Sequence, residues 1–480
     1  MIWISKITTN NYKALHGEQT FNFNKGLTFL VGENNTGKTS VFQSVDFLLS
    51  GLPKNKNEVD IKNKQCTDAD ELAVAVELKG DITEAIDGFS EDKYKTYVFE
   101  EDGIETLRLK RSSVVQNITQ AGKPVELNIN KLSIWNQEEE QFENPSGIDK
   151  TFKLLETQFV WSNIDPNDVV DFGSTKTCGK LMGEVFSDFR KTDRWTEFEE
   201  SHKATFHGEG SLDEKANEVG EEIKSIFADQ YGEVDIRFSF PFPDPANFFK
   251  NVDLNINDGH DTKLEDKGSG MQRGIALAII QVYAKRLVQH ATDPSLIKPL
   301  FFFIDEPEIS LHPKAQLILM EALKSISATQ QVFITTHSPV TLKTYDPTMS
   351  KMFLFVREST GISVADSEKL CLFDWSPSWG EIMYSAFHTP TEEFHNELYG
   401  AIQETHSKYS LSDMESYLSS KGVVIDTDWV KIDKGTAQPP YKVSLMTFIR
   451  NTIHHPENKE NLDYTPDQLR ESIEILLMHL

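Results

Sequence analysis

The sequence predicts an α/β fold built on a largely parallel sheet, and three stretches predict it. Phe21, Phe23, Leu27, Phe29 and Val31 alternate at the period of a half-buried strand, and Val41, Phe42, Val45, Leu48 and Leu49 follow at helical spacing. Leu300 to Ile304 is a wholly apolar run that ends in Asp305 and Glu306. A helix expected over about 313–327 and a strand at Val332 to Thr335 continue the alternation, the signature of a sheet covered by helices on both faces.

The first turn carries the chemistry. Between the early strand and helix runs Gly32-Glu33-Asn34-Asn35-Thr36-Gly37-Lys38-Thr39-Ser40, which matches the G-x-x-x-x-G-K-[ST] phosphate loop. Glycines let backbone N–H groups wrap phosphates, and the helix N-terminus adds partial positive charge. Lys38 is placed to reach the terminal phosphates of ATP, and the Thr39 hydroxyl to bind Mg²⁺.

Residues of about 71–135 alternate in short runs, Leu72, Val74 and Val76, then Tyr97 and Phe99, then Leu107 and Leu109, which predict an antiparallel meander. The charged segment 176–232 reads as two helices folded back as a hairpin. Strand patterns return at Val234 to Phe238 and Val252 to Ile256, before a long apolar helix over about 270–289. From about 390 the chain reads as helical, with breaks near Gly422 and Pro439. The expected domains are 1–175, the head's first lobe; 176–232, the hairpin; 233–389, the second lobe; and 390–480, helical.

Bulk properties narrow the function. A chain of 480 residues exceeds one ordinary core, and no apolar run approaches the roughly 18 residues of a membrane helix. With no signal-peptide pattern at Met1 to Ile7, a cytoplasmic location is expected. Cys66, Cys178 and Cys371 form neither a disulfide framework nor a metal knuckle. A net charge of −27 repels nucleic acid on average, which favours protein partners and leaves DNA binding to a local basic surface.

An apolar strand ending in two acids sets them at the carboxyl edge of the sheet, where α/β proteins bind ligands. Asp305 is the candidate Mg²⁺ holder and Glu306 the candidate general base. Gly268-Ser269-Gly270 opens the long helix as another anion-binding start, and His337 follows the strand ending in Thr335-Thr336.

In this order the segments resemble the ABC-type ATPases of the SMC, RecF and OLD-like superfamily. The resemblance implies an ABC-type P-loop ATPase head with an antiparallel β lobe. It makes Ser269 and Gly270 part of the signature motif, His337 the switch histidine, and Glu308 to Pro313 the D-loop. It implies a head-to-tail dimer with ATP between the phosphate loop of one subunit and Ser269 of the other. Gln158 matches the family's glutamine loop only loosely.

In the tail, Arg450, Asn451 and His455 fit the R-N-x-x-x-H pattern of HEPN ribonucleases, and equally a helix end whose basic residues face its dipole. No Toprim-like module is expected after the core. This combination resembles the stand-alone ATPase subunits of bacterial antiphage systems, the AriA family of PARIS and the Septu ATPases. That likeness implies an oligomeric scaffold holding a separately encoded nuclease, Toprim-type in the PARIS case, until a phage trigger is sensed. A RecF-like DNA-repair ATPase and an RNase fused to an ATPase are the alternatives.

Overall fold

The structure, a computed structural model, describes residues 1–89, 92–149, 152, 154–162, 177–231, 235–238, 240, 242, 252, 254–289, 299–359 and 361–480. The chain divides into two units, one of Met1–Ser162 with Val288–Leu480, the other of Asn163–Leu287.

The larger unit begins with β1 (Trp3–Tyr12), β2 (Leu15–Asn22), β3 (Leu27–Gly32) and α1 (Lys38–Ser50). There follow β4 (Ala73–Lys79), α2 (Ile82–Phe89), β5 (Phe99–Glu101), β6 (Ile104–Ser112), β7 (Ser133–Asn136), β8 (Gln141–Glu143) and β9 (Glu156–Val160). The second unit holds α3 (Thr177–Phe189), α4 (Asp193–Phe206), α5 (Leu212–Tyr231) and α6 (Ser269–Gln289). The chain re-enters the first through β10 (Leu300–Asp305), α7 (Pro313–Ser327), β11 (Gln331–Thr336), β12 (Ser350–Glu358) and β13 (Gly361–Asp366). It ends in α8 (Trp379–Phe387), α9 (Glu392–Thr405), α10 (Leu411–Ser420), β14 (Ile425–Trp429), β15 (Tyr441–Ser444), α11 (Leu445–His454) and α12 (Pro466–His479).

Two sheets carry the larger unit. One is antiparallel, in the order β8-β7-β6-β4-β1-β2 with β5 beside β6. The other runs β9-β10-β11-β3-β12-β13, parallel except for the last pair. The central strands β3, β10 and β11 are buried along their whole lengths, as parallel strands covered on both faces must be. Phenylalanines fill the space between sheets: Phe21 stacks on Phe355 at 5.9 Å, and Phe23 meets Phe333 edge-on at 5.0 Å.

Gln331, fully buried at the start of β11, joins the sheets by acting as a surrogate peptide group. Its Oε1 accepts from Ile4 N at 2.7 Å, and its Nε2 donates to Ile4 O and Asn24 O, both at 3.0 Å. Two of these bonds serve Ile4 of β1, where its register against β4 slips between Ile4 and Lys6, and the third serves Asn24 just beyond β2. Buried Arg111 on β6 donates to Leu48 O at 3.0 Å and Ile129 O at 3.1 Å, tying the last turn of α1 to the antiparallel sheet.

Several expectations change in detail. The charged segment is helical, but in three helices, broken around Thr192 and again between His207 and Ser211. Buried Trp195 anchors them, edge-on to Phe186 at 4.8 Å and to Phe242 at 5.9 Å. Residues 235–238 carry no strand, and Val234 lies outside the described residues. Of the next expected strand only Asn255–Asn257 is one, paired with Asp261–Lys263; residues 251 and 253 lie outside the described residues. Tyr97 ends a 3₁₀ turn instead of a strand. The helical C-terminal region contains a β-hairpin, β14 with β15, whose Trp429 and Val443 pack into a core with Phe394, Leu398, Ile449 and Leu476.

Candidate functional site: a phosphate loop facing two acids

Parallel register assembles the site. Thr336 of β11 pairs with Val31 of β3, Asp305 of β10 pairs with Thr335, and Val160 of β9 pairs with Ile304. Four adjacent strands therefore deliver their carboxyl ends to one edge, where α1 begins.

The phosphate loop is closed and tightly supported. Gly37 precedes α1 in the left-handed region at φ 87°, and a side chain there would crowd Ala14, Leu15 and Ile362. At Gly32 a Cβ would lie 2.2 Å from the carbonyl oxygen of Phe355, so β12 and the loop approach as closely as only glycine permits. Inside the loop, Thr36 Oγ1 donates to Glu33 O at 2.7 Å. Arg357 reaches from β12 to donate to Asn35 O at 2.5 Å. Buried Lys38 donates its Nζ to Gly32 O at 2.8 Å and Glu33 O at 2.6 Å, which holds the ammonium across the loop. Burial pushes the Lys38 pKa down, opposed by Glu306, Asp305, Glu308 and Glu33.

Asp305, 2% exposed, is the hub of the opposite side. Its Oδ1 accepts from Thr39 Oγ1 at 2.8 Å and Thr335 Oγ1 at 2.7 Å, and its Oδ2 from Ser162 Oγ at 2.8 Å. Thr335 Oγ1 also accepts the backbone N–H of Glu306 at 2.9 Å. Glu306 itself stands at φ 48°, left-handed for a non-glycine residue, and its partly exposed carboxylate lies at the edge of the sheet. Strain of this kind costs about 1–3 kcal/mol and persists where neighbours over-determine it; the Thr335 bond is one such constraint.

His337 Nδ1 sits 3.5 Å from Glu306 Oε1 and 3.6 Å from Glu308 Oε1. The Glu306 carboxylate holds the imidazole above its ordinary pKa, against partial burial and with help from Glu308. Glu308 is buried, and its Oε1 accepts from Thr336 Oγ1 at 2.8 Å and His337 N at 3.0 Å. It thereby fixes the loop that presents the histidine.

The donor set fits a nucleotide with Mg²⁺. Glycines leave room for phosphate, a buried ammonium supplies positive charge, and one hydroxyl facing one carboxylate is the hard, oxygen-only chemistry that Mg²⁺ uses with substrate phosphates and water. Gly32 through Ser40, Asp305, Glu306 and His337 are thus brought together. Ser269 and Gly270 belong to the other unit, where Ser269 is exposed at the start of α6 and Gly268 O accepts from Met271 N and Gln272 N. Gln158 is buried within β9 opposite Phe302; Ser162, beyond the end of that strand, is the residue that touches Asp305. Ser162, Thr335 and Arg357 were not legible as site residues, because each acts through a partner far away in sequence; Glu308 was expected only as part of the D-loop, not as the buried acid that fixes the His337 loop.

A family model described as an AAA ATPase domain matches residues 2–341. The chain belongs to that AAA ATPase family. Over 349 residues the ATPase is 24% identical to Old nuclease of Escherichia phage P2, covering 70% of this chain and 56% of that protein. It therefore spans little more than half the length of that relative. Among solved structures it is similar to an Smc head bound to the C-terminal winged-helix domain of ScpA, at TM-score 0.44 and 13% identity, covering 76% of this chain and 98% of that one. The SMC head domain from Thermotoga maritima gives TM-score 0.33 and 14% identity, with 76% and 98% covered. The family model makes the chain an ATPase. Among the described residues no helix is long and apolar enough to cross a membrane.

Proposed function

We propose that this ATPase works as a head-to-tail oligomer whose ATP sites close only between subunits, and that it is the scaffold and sensor of an antiphage complex holding a separate nuclease. The observation that carries the reading is the Asp305 hub: Thr39, Ser162 and Thr335 converge on one carboxylate beside the phosphate loop. Thr39 and Asp305 would hold Mg²⁺, which supplies charge neutralisation on the phosphate oxygens when bound. Glu306 orients and deprotonates the attacking water, and His337, whose pKa Glu306 and Glu308 raise, is placed to donate toward the γ-phosphate. Ser269 and the N–H groups opening α6 would complete the site from the neighbouring subunit, since the first N–H groups of a helix have no intrahelical partner.

The defence role is supported by the resemblance of the motif set to stand-alone antiphage ATPases and by the strongly acidic balance, which suits protein partners better than nucleic acid. Its test is phage plating on cells that carry the native locus, with either the wild-type chain or Lys38→Ala. Protection lost with Lys38→Ala supports the proposal; equal plating with both chains contradicts it. Degradation of tRNA or DNA by the purified chain alone would end the scaffold reading.

A further inference from the structure

The C-terminal region contains a pocket that the ATPase site does not use. It has a volume of about 280 Å³ and opens between the β14–β15 hairpin and the end of α11. Trp429, Ile432 and Tyr441 form its apolar wall, and Arg450, Lys431 and His455 bring cationic or ionisable groups to it, against one carboxylate, Glu457.

This charge balance is unusual for the chain, in which 75 acidic residues outnumber 48 basic ones. Even so, among the described residues Arg450 meets no carboxylate. Its Nη1 donates to Asn451 Oδ1 at 3.0 Å, and Asn451 is only 3% exposed, so a nearly immobile amide orients the guanidinium. Lys431 is exposed and makes no ion pair among the described residues, while Glu415, whose charge acts on Tyr441, is engaged by Ser444 N at 2.8 Å and Ser444 Oγ at 2.7 Å. His455 Nδ1 lies 3.3 Å from Glu457 Oε1. The helix-end explanation accounts for His454 and His455, which stand at the last turn of α11. It does not account for Lys431, which comes from the hairpin across the pocket, or for an arginine one turn back that is held by an amide instead of an acid.

We propose that this pocket is a second nucleotide site, which takes the phosphate and base of one nucleotide unit, free or at the end of an RNA strand. An oriented guanidinium is the side chain best matched to a phosphate, and an exposed tyrosine beside it offers a base a stacking face. The volume is at the small end of ligand pockets, which suits one nucleotide and excludes a duplex. The inference is independent of the defence proposal and involves binding only.

The test is calorimetric titration of the full chain free of other nucleotides, with AMP and separately with a 5′-phosphorylated diribonucleotide, repeated in Lys38→Ala so that any binding at the phosphate loop is subtracted. Wild type is expected to bind at least one probe, and binding of the dinucleotide alone would identify strand ends as the source. Arg450→Ala and Lys431→Glu should each weaken binding about 10- to 100-fold, the range of a lost charge-assisted hydrogen bond. Lys431→Glu changes an exposed residue outside the ATPase machinery and should leave ATP turnover unchanged, so it decides the matter if Arg450→Ala fails to fold. No binding of either probe to wild type, or wild-type affinity in Lys431→Glu, overturns the proposal.

Discussion

Thr335→Val removes one hydroxyl and keeps the shape of the side chain, so it isolates what that hydroxyl does. Thr335 Oγ1 donates to Asp305 Oδ1 at 2.7 Å and accepts from Glu306 N at 2.9 Å, and Thr335 is fully buried. The first bond is charge-assisted, worth about 1.5–3 kcal/mol; losing the second leaves a part-buried N–H without its acceptor, at about 1–3 kcal/mol. Asp305 keeps Thr39 and Ser162, so its carboxylate stays in place. Glu306 loses the constraint on its left-handed backbone. The loss should therefore fall on the water-activating step more than on nucleotide binding. Steady-state phosphate release should drop about 10- to 100-fold, as 1.4 kcal/mol corresponds to a factor of ten, with the dissociation constant of a fluorescent ATP analogue changed only a few-fold. Thr335→Ser, which restores the hydroxyl, should recover most of the turnover. Wild-type turnover in Thr335→Val, or no recovery in Thr335→Ser, would refute the reasoning.

Lys38→Ala should abolish measurable Mg²⁺-dependent binding of ATP in an equilibrium assay, because the buried ammonium is the loop's own cation; retained Mg²⁺-dependent affinity would show that the loop is not the site. Gln331→Leu leaves Ile4 N, Ile4 O and Asn24 O without their partner, a cost of about 3 kcal/mol or more. Scanning fluorimetry should show a fall of roughly 4 °C or more. His395 is fully buried, its Nε2 is 2.9 Å from Ser472 Oγ, and burial lowers its pKa from 6.5 to about 4. The unfolded chain takes up the proton first, so stability is complete above pH 6.5 and declines as the pH falls toward 4. That term amounts to about 2 kcal/mol by pH 5. Melting curves at pH 7.5 and pH 5 should differ less in His395→Gln than in wild type.

The site was legible where its chemistry is contiguous. Gly32 to Ser40 carry their own strand and helix context, and Asp305-Glu306 ends a strand too apolar to be anything but buried. Thr335 and Ser162 were opaque because they act through bonds to Asp305, and those depend on strand order. The order β9-β10-β11-β3 is set by packing between strands far apart in the chain, which local periodicity does not encode. The same limit explains β1, which the alternation of Phe21 to Val31 overshadowed, and the β14–β15 hairpin, whose strands are short and mostly polar outside Trp429 and Val443. The 176–232 segment is helical over its described residues because its composition is charged and helix-friendly; its second break is marked by Gly208 and Gly210 in the left-handed region, whereas the first, around Thr192, lies at ordinary polar residues with weak stop signals.

The central claim is that each ATP site is completed by a second subunit, and mixing two inactive variants tests it most directly. Lys38→Ala retains Ser269 but lacks the loop cation, whereas Ser269→Arg retains the loop and blocks the start of α6. Equal mixing should restore roughly a quarter of wild-type ATP turnover, since half of randomly formed head-to-tail pairs hold one intact site of two. Turnover no higher than the sum of the separate variants would contradict the account.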